Sequence, residues 1–213
     1  MDKKAIIFDV DGTLWDSTEQ ITASYNKTLQ NERIEKTITL ELVCSIMGLT
    51  EKEIAAKFFP EFGEEKRLEL IKLCCEQECV YLREHGGKLY PNVEQVLQQL
   101  SKRFDLYIIS NCQDGYIETL FLLYDIGKYF QDYECSGKTG LPKNKNIELI
   151  MQRNGVINAV YIGDTQKDKD ACIKAKIPFV FASYGFGTVD SYDTKINAFI
   201  DLISLPFASL LES

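Results

Sequence analysis

The sequence predicts an α/β fold: a parallel sheet with helices on both faces, interrupted near its start by an all-helical insert. Three observations predict it. From Pro91 onward, short apolar runs alternate with segments of helical spacing, the pattern of strand–helix units that build a parallel sheet. Between residues 16 and 87 the apolar spacing is helical and no convincing strand occurs. The chain of 213 residues, 45% hydrophobic and 26% charged, has globular composition and enough length for one full core plus a sizeable insert.

Ala5-Ile6-Ile7-Phe8 is an apolar run ending in Asp9, the signature of a buried strand. Ser17 with Gln20 has the form of a capping box, and Ile21, Tyr25 and Leu29 follow at helical spacing. A second helix is expected over Thr39 to Met47. Thr50 with Glu53 caps a third, which Pro60 ends. Leu68, Ile71, Cys75, Cys79 and Leu82 line one face of a long helix that stops at His85-Gly86-Gly87.

Beyond Pro91, Val93, Val96, Leu97 and Leu100 mark a helix, and Leu106 to Ile109 a strand ending in Ser110-Asn111. A helix over Ile117 to Tyr124 precedes a weak strand near Tyr129–Glu134 and a loop from Ser136 to Pro142. Ile147, Ile150 and Met151 lie on a helix closed by Asn154-Gly155. Ala159 to Ile162 forms a strand ending in Gly163-Asp164, and Asp168, Ala171, Cys172 and Ala175 share a helix face. Pro178 to Phe181 and Ala198 to Ile200 are the last expected strands.

Composition excludes several functions. With 24 Lys+Arg against 32 Asp+Glu the formal charge is −8, which opposes nucleic-acid binding. One histidine rules out sites built on two, and a Ser-His-Asp triad would have to use His85. The seven cysteines contain no Cys-x-x-Cys, and none is followed six residues later by Arg, so zinc-ribbon, thioredoxin-like and Cys-phosphatase chemistry are excluded. Met1 to Val10 is too polar for a secretion leader, and no stretch approaches the roughly 18 apolar residues of a membrane span. A cytoplasmic protein with free thiols and no membrane partner is expected. Gly137-Lys138-Thr139 lacks the glycine a P-loop needs at position 132, and Gly185-Phe186-Gly187 lacks the third glycine of a dinucleotide site.

The chemistry concentrates where strands end, which is where open α/β sheets bind ligands. Asp9 and Asp11 lie two residues apart after the first strand, with Gly12 allowing a sharp exit. Asp164 and Asp168 follow a second strand. Four carboxylates converging in one crevice would repel by about 4 kcal/mol per pair at close range, so the cluster is expected to share protons or hold a cation. An all-oxygen donor set favours Mg²⁺. A carboxylate beside such a metal can attack phosphorus, and its neighbour can serve as general acid and base.

The motif Asp9-Val10-Asp11-Gly12-Thr13-Leu14 resembles the first signature of the haloacid dehalogenase superfamily of phosphotransferases. Ser110 is similar to its second, a Lys at the Lys143–Asn146 helix start to its third, and Gly163-Asp164-Thr165-Gln166-Lys167-Asp168 to its fourth. The helical insert resembles the cap of the phosphoglycolate-phosphatase and β-phosphoglucomutase branch, as does Tyr90-Pro91-Asn92-Val93 where the core resumes. The resemblance implies a Rossmann-like core over residues 1–15 and 88–213 with a cap over 16–87, hinged near Leu14–Ser17 and Gly86–Tyr90. It implies that Asp9 is the nucleophile and a metal ligand, and that Asp11 is the general acid/base and gives the metal its backbone carbonyl. Gly12, Thr13, Ser110, Asn111 and Lys143 would bind the phosphoryl group. Asp164 would complete the metal site, with Asp168 as a further ligand or as a partner to the ligands. Lys143 is preferred over Lys145 because it lies just before the helix.

The expected function is a Mg²⁺-dependent phosphatase acting on a small phosphorylated metabolite, as a monomer or weak homodimer. Asp11 argues against carbon–halogen or carbon–phosphorus cleavage, for which the resemblance implies no such acid. A phosphosugar mutase of the β-phosphoglucomutase type is the alternative. It ranks lower because the loop Met47-Gly48-Leu49-Thr50 has no Arg. A non-catalytic binding module would predict a broken motif, and all four are intact.

Overall fold

A computed structural model describes residues 4–211. The start Met1–Lys3, which entered the reading for a leader, lies outside them, as do the last two residues. The chain opens with β1 (Lys4–Phe8), β2 (Trp15–Asp16) and four helices: α1 (Thr18–Asn31), α2 (Leu40–Cys44), α3 (Glu51–Phe58) and α4 (Glu64–His85). Then follow β3 (Lys88–Leu89), α5 (Val93–Leu100), β4 (Asp105–Ser110), α6 (Tyr116–Tyr124), β5 (Asp132–Cys135), α7 (Ser136–Thr139) and α8 (Lys143–Asn154). The chain ends with β6 (Asn158–Gly163), α9 (Gln166–Ala175), β7 (Phe179–Ala182), β8 (Thr194–Ile196) and α10 (Phe207–Leu210).

Six strands form one sheet in the order β5-β4-β1-β6-β7-β8, every pairing parallel. Counted along the chain among themselves, the six strands stand in the doubly wound order 3-2-1-4-5-6. This is the Rossmann-like α/β architecture. β1 lies at the centre with its neighbours in chain order, β4 and β6, on either side. The topological switch point therefore falls at its carboxyl end. β1 shows why the run is uniformly apolar: Ile6 and Phe8 enter one core and Ala5 and Ile7 the other, so both faces are covered.

The helices α1 to α4 pack around a third core of their own that includes Tyr25, Phe58, Phe59 and Ile71. Phe58 and Phe59 are fully buried, and each contributes roughly 1.5–3 kcal/mol by removing apolar surface from water. The chain leaves the sheet and returns through a two-stranded antiparallel ribbon that pairs Trp15 with Leu89 and Asp16 with Lys88. Asp16 thus belongs to a strand, at the edge of the stretch expected to be helical throughout.

Four local expectations change. The second helix is shorter than Thr39–Met47: Thr39 caps it by accepting the Leu42 N–H at 3.2 Å, and it ends at Cys44. Ser17 stands at the N-cap of α1 without a side-chain cap bond, because its hydroxyl is engaged by Asp11 and Tyr116. The loop after β5 contains the one-turn α7, where the Thr139 hydroxyl donates to the Cys135 carbonyl at 3.1 Å. Ala198–Ile200 is not a strand. The Asp201 carboxylate accepts the N–H groups of Asn197 and Ala198 at 2.9 and 3.1 Å, which starts a 3₁₀ turn over Phe199–Ser204. The sheet edge is β8 instead.

All seven cysteines are free. No helix of the described residues is long and apolar enough to cross a membrane.

Candidate active site

Asp9 follows β1 directly, and its N–H donates to the Ile162 carbonyl of β6 at 2.9 Å. That bond continues the sheet one residue past the strand and fixes Asp9 at the switch point, 2% exposed. Asp164 leaves β6 beside it, fully buried. Asp168 sits at the third position of α9. There it closes a capping box: its Oδ2 accepts the Thr165 N–H at 2.9 Å and the Thr165 hydroxyl at 2.6 Å. The motif spacing Gly-Asp-Thr-x-x-Asp is thus the spacing of a helix N-terminus.

Asp9, Asp164 and Asp168 each offer an oxygen within 4.8 Å of the others. Lys143, the first residue of α8 and 5% exposed, stands among them. Its Nζ is 2.5 Å from Asp168 Oδ1 and 3.1 Å from Asp9 Oδ1. Lys145 pairs with Glu148 at 2.6 Å on the surface, which separates the two lysines that the sequence left adjacent. Burial works against the charge on Lys143, and Asp168 and Asp9 outweigh it, so its pKa lies above the ordinary lysine value. Burial is also the largest cause that raises Asp9 well above the usual carboxylate range, with Asp168 adding to it and Lys143 opposing it. Burial, then Asp168, push Asp164 up to about 7.

Two oxygens in this cluster lack a hydrogen-bond partner although buried: Asp9 Oδ1, which faces Lys143 only as an ion pair, and Asp164 Oδ1. The other Asp164 oxygen accepts the Phe186 N–H at 2.7 Å. Both oxygens of Asp168 are engaged by Lys143 and Thr165. Unsatisfied buried carboxylate oxygens carry a desolvation penalty that a cation removes. The donor set, all oxygen with no His or Cys, suits a hard divalent ion such as Mg²⁺. The oxygens without a hydrogen-bond partner belong to Asp9 and Asp164, while those of Asp168 are bonded to Lys143 and Thr165.

The carboxylate of Asp11 does not join the other three, contrary to the expectation of four converging acids. Three donors converge on its Oδ1: the Tyr116 hydroxyl at 2.6 Å, the Trp15 indole at 3.0 Å and the Ser17 hydroxyl at 3.2 Å. Burial raises its pKa and these three bonds oppose the rise, Tyr116 most. Gly12 has φ +74, and a Cβ there would lie 2.1 Å from Asp164 Oδ2, so both the turn and the close approach require glycine. Thr13 is buried, its hydroxyl has no partner, and its carbonyl accepts the Tyr184 hydroxyl at 2.8 Å.

Asp9, Asp11, Ser110 and Asn111 line one pocket together with residues of the helical insert. Ser110 ends β4 and its Oγ accepts the Cys112 N–H at 3.3 Å. The Asn111 side chain donates to the Gly48 carbonyl across the pocket at 2.8 Å and accepts from the Ser136 hydroxyl at 2.9 Å. It joins the two halves of the molecule, a role absent from the sequence reading.

Sequence reasoning missed Trp15, four residues from Asp11, and Tyr116 and Phe186, which lie far in sequence from the carboxylates they serve. It also missed Glu78 on α4, 3% exposed, whose Oε1 accepts from the Gln113 amide at 3.1 Å. The signal for Glu78 was present: it is three residues from Cys75 and four from Leu82, an acid on the apolar face of the long helix.

A parallel doubly wound sheet, acids at its switch point and a helical insert after the first of them define a haloacid dehalogenase-like hydrolase. The sequence profile of that family matches residues 6–182, and the chain belongs to it. Phosphoglycolate phosphatase of Aquifex aeolicus (strain VF5) is 27% identical over 214 residues, covering 95% of this chain and 96% of the relative. That of Rhodobacter capsulatus is 28% identical over 190 residues, 85% of each chain. Taken with the family, these relatives put the chain among its phosphatases. The haloacid dehalogenase-like protein SP0104 of Streptococcus pneumoniae superposes with TM-score 0.82 at 19% identity, covering 95% of this chain and 97% of that one. CbbY of Rhodobacter sphaeroides, solved with xylulose-(1,5)-bisphosphate, gives 0.80 at 17%, covering 95% and 96%. Both share the fold.

Proposed function

We propose that this chain is a Mg²⁺-dependent phosphatase that hydrolyses a small phosphate monoester through an aspartyl-phosphate on Asp9. The observation that carries this reading is the pair of buried oxygens without a hydrogen-bond partner, Asp9 Oδ1 and Asp164 Oδ1, in the acidic cluster where Asp9 meets a pocket that also presents Asp11 and Ser110. Asp9 and Asp164 would hold the ion. When bound, Mg²⁺ neutralises charge on Asp9 and on the phosphoryl oxygens.

Asp9 attacks phosphorus, and the bond from phosphorus to the ester oxygen breaks. Asp11, in its acid form, gives its proton to that oxygen. Its raised pKa favours this form, and the Tyr116, Trp15 and Ser17 donors on Oδ1 leave Oδ2 for the transfer. Asp11 then takes a proton from water, the water attacks phosphorus, and Asp9 is released with inorganic phosphate. Ser110, Thr13 and the backbone at Gly12 and Asn111 cradle the phosphoryl oxygens. Lys143, held by Asp168, offsets charge on Asp9 and phosphate. The helical insert closes as a cap about the Trp15–Leu89 ribbon and keeps water out until the alcohol has left. No basic residue lines the pocket for a second phosphate, which favours hydrolysis over return of the group to a sugar phosphate.

The test measures phosphate release from p-nitrophenyl phosphate with Mg²⁺ and with EDTA. Turnover is expected only with the metal and is expected to vanish in Asp9→Asn while circular dichroism stays native. In the wild type, a phosphoryl adduct is expected on the peptide containing Asp9. Full activity of Asp9→Asn would refute the mechanism.

A further inference from the structure

The pocket that receives the leaving group has an uneven chemistry. The core side presents polar groups, among them Asp11, Ser110, Asn111 and Gln113, while the wall from the helical insert is largely apolar, built by Ile21, Tyr25, Ile46, Leu49 and Ile54. Two titratable groups interrupt that wall, and both are acids. Glu78 comes from the inner face of α4. Glu51 is the first residue of α3, its side chain half-buried between pocket and solvent. No Lys, Arg or His lines the pocket.

The nearby cations serve other places. Lys143 is committed to Asp168 and Asp9 beneath the phosphoryl site. Lys72 and Arg83 line a neighbouring cleft that Glu51 also borders, and Lys72 there only opposes the rise that burial gives the Glu51 pKa. Lys52 pairs with Glu64 on the surface at 2.7 Å.

A substrate's phosphate is met by the core, so this wall meets whatever the ester carries. A second anion there, a carboxylate or another phosphate, would lose water and face two carboxyl groups with no cation lining the pocket. An unpaired desolvated charge is the strongest means a site has of refusing a ligand. An ammonium gains from both acids, and a hydroxyl is neutral to the charge and can bond to Glu78. Burial holds Glu78 up to about 8. Protonated, it donates to a hydroxyl; with an ammonium beside it, ionisation becomes favourable.

We infer that Glu51 and Glu78 make the leaving-group pocket selective for phosphate monoesters of amino alcohols, ahead of neutral alcohols, and exclude esters whose leaving group carries a second anion. This rests on the phosphatase reading above and narrows it. It also separates the chain from the activity for which its curated relatives are named, since phosphoglycolate carries a carboxylate where these two acids stand.

The test uses three esters of nearly equal size that differ in the terminal group: O-phosphoethanolamine, 2-hydroxyethyl phosphate and 2-phosphoglycolate. Phosphate release is measured with Mg²⁺, and p-nitrophenyl phosphate serves as the reference for the chemical step. The ammonium ester is expected to exceed phosphoglycolate in kcat/KM by about 100-fold or more, with the hydroxyl ester between them. In Glu51→Gln and in Glu78→Gln that ratio is expected to fall by about tenfold each. Phosphoglycolate turned over as well as the ammonium ester would overturn the inference while leaving the phosphatase reading intact. So would variants that lower all three esters by one factor, the mark of a structural role. Phosphate from none of the four esters would overturn the phosphatase reading and the selectivity with it.

Discussion

Glu78 shows how one residue can be set against the fold that carries it. Its carboxyl is buried on α4, and burial, opposed by bonds from Tyr25 and Gln113, moves its pKa from an ordinary 4.5 to about 8. Below about pH 4.5 both folded and unfolded chains hold the proton, and Glu78 has no effect on stability. Between about 4.5 and 8 the folded chain keeps a proton that the unfolded chain has lost. Stability therefore falls as pH rises, by about 1.4 kcal/mol per pH unit for one such group, and levels off above the folded value. Glu78→Gln retains the acceptor for Gln113 and cannot titrate. Urea unfolding is expected to show the variant about 2–4 kcal/mol more stable than the wild type near pH 8, with the gap closing near pH 5. A gap independent of pH would refute the assignment. Asp9, Asp11, Asp164 and Asp168 were legible because strand ends and helix caps have short, fixed spacings. Tyr116 was not, because the carboxylate it serves lies 105 positions away in sequence and only packing brings the two together.

Among the elements, the stretch after β7 illustrates a support that composition conceals. Gly185-Phe186-Gly187 looked like an incomplete dinucleotide motif. In the fold it passes against Asp164: the Phe186 N–H fixes one carboxylate oxygen, and a Cβ on Gly185 would lie 2.4 Å from both Asp164 Cβ and the Gly12 carbonyl oxygen. Gly185→Ala is expected to displace Asp164 and cost about 1–3 kcal/mol from overpacking. At this chain length that is a Tm drop of about 2–4 °C per kcal/mol, accompanied by loss of turnover. Gly63→Ala, where an added Cβ meets nothing within 4 Å, is expected to change stability by less than about 1 kcal/mol and leave turnover intact. Thermal melts and phosphate release on both variants decide it. Strands of the sheet centre were legible because burial on both faces leaves uninterrupted apolar runs, as in Ala5–Phe8. The edge was not: Thr194–Ile196 has only three residues, and the more apolar Ala198–Ile200 is drawn into a 3₁₀ turn by Asp201, whose competing local bonds apolar pattern does not register.

For the molecule as a whole, the acidity becomes a constraint on how it works. The formal charge of −8 is not spread over the surface alone. Three carboxylates lie buried within 4.8 Å of one another, and Lys143 is the only cation among the buried described residues. Left to itself, such a cluster destabilises the fold, and Asp9 and Asp164 respond with raised pKa values. A divalent ion bound only by the folded state reverses that and stabilises by RT ln(1 + [L]/Kd), about 2.7 kcal/mol at a hundredfold excess over Kd. For a chain of this size the rise in Tm is about 5–10 °C. Mg²⁺ is expected to give it in the wild type and to give almost none in Asp164→Asn. The same ionic strength supplied as a monovalent salt should give little, because a buried cluster is poorly screened. An equal rise with monovalent salt, or an undiminished rise in Asp164→Asn, would show that the ion acts on the surface charge instead. The measurement needs no substrate, so it tests the metal site separately from the chemistry that the site is proposed to perform.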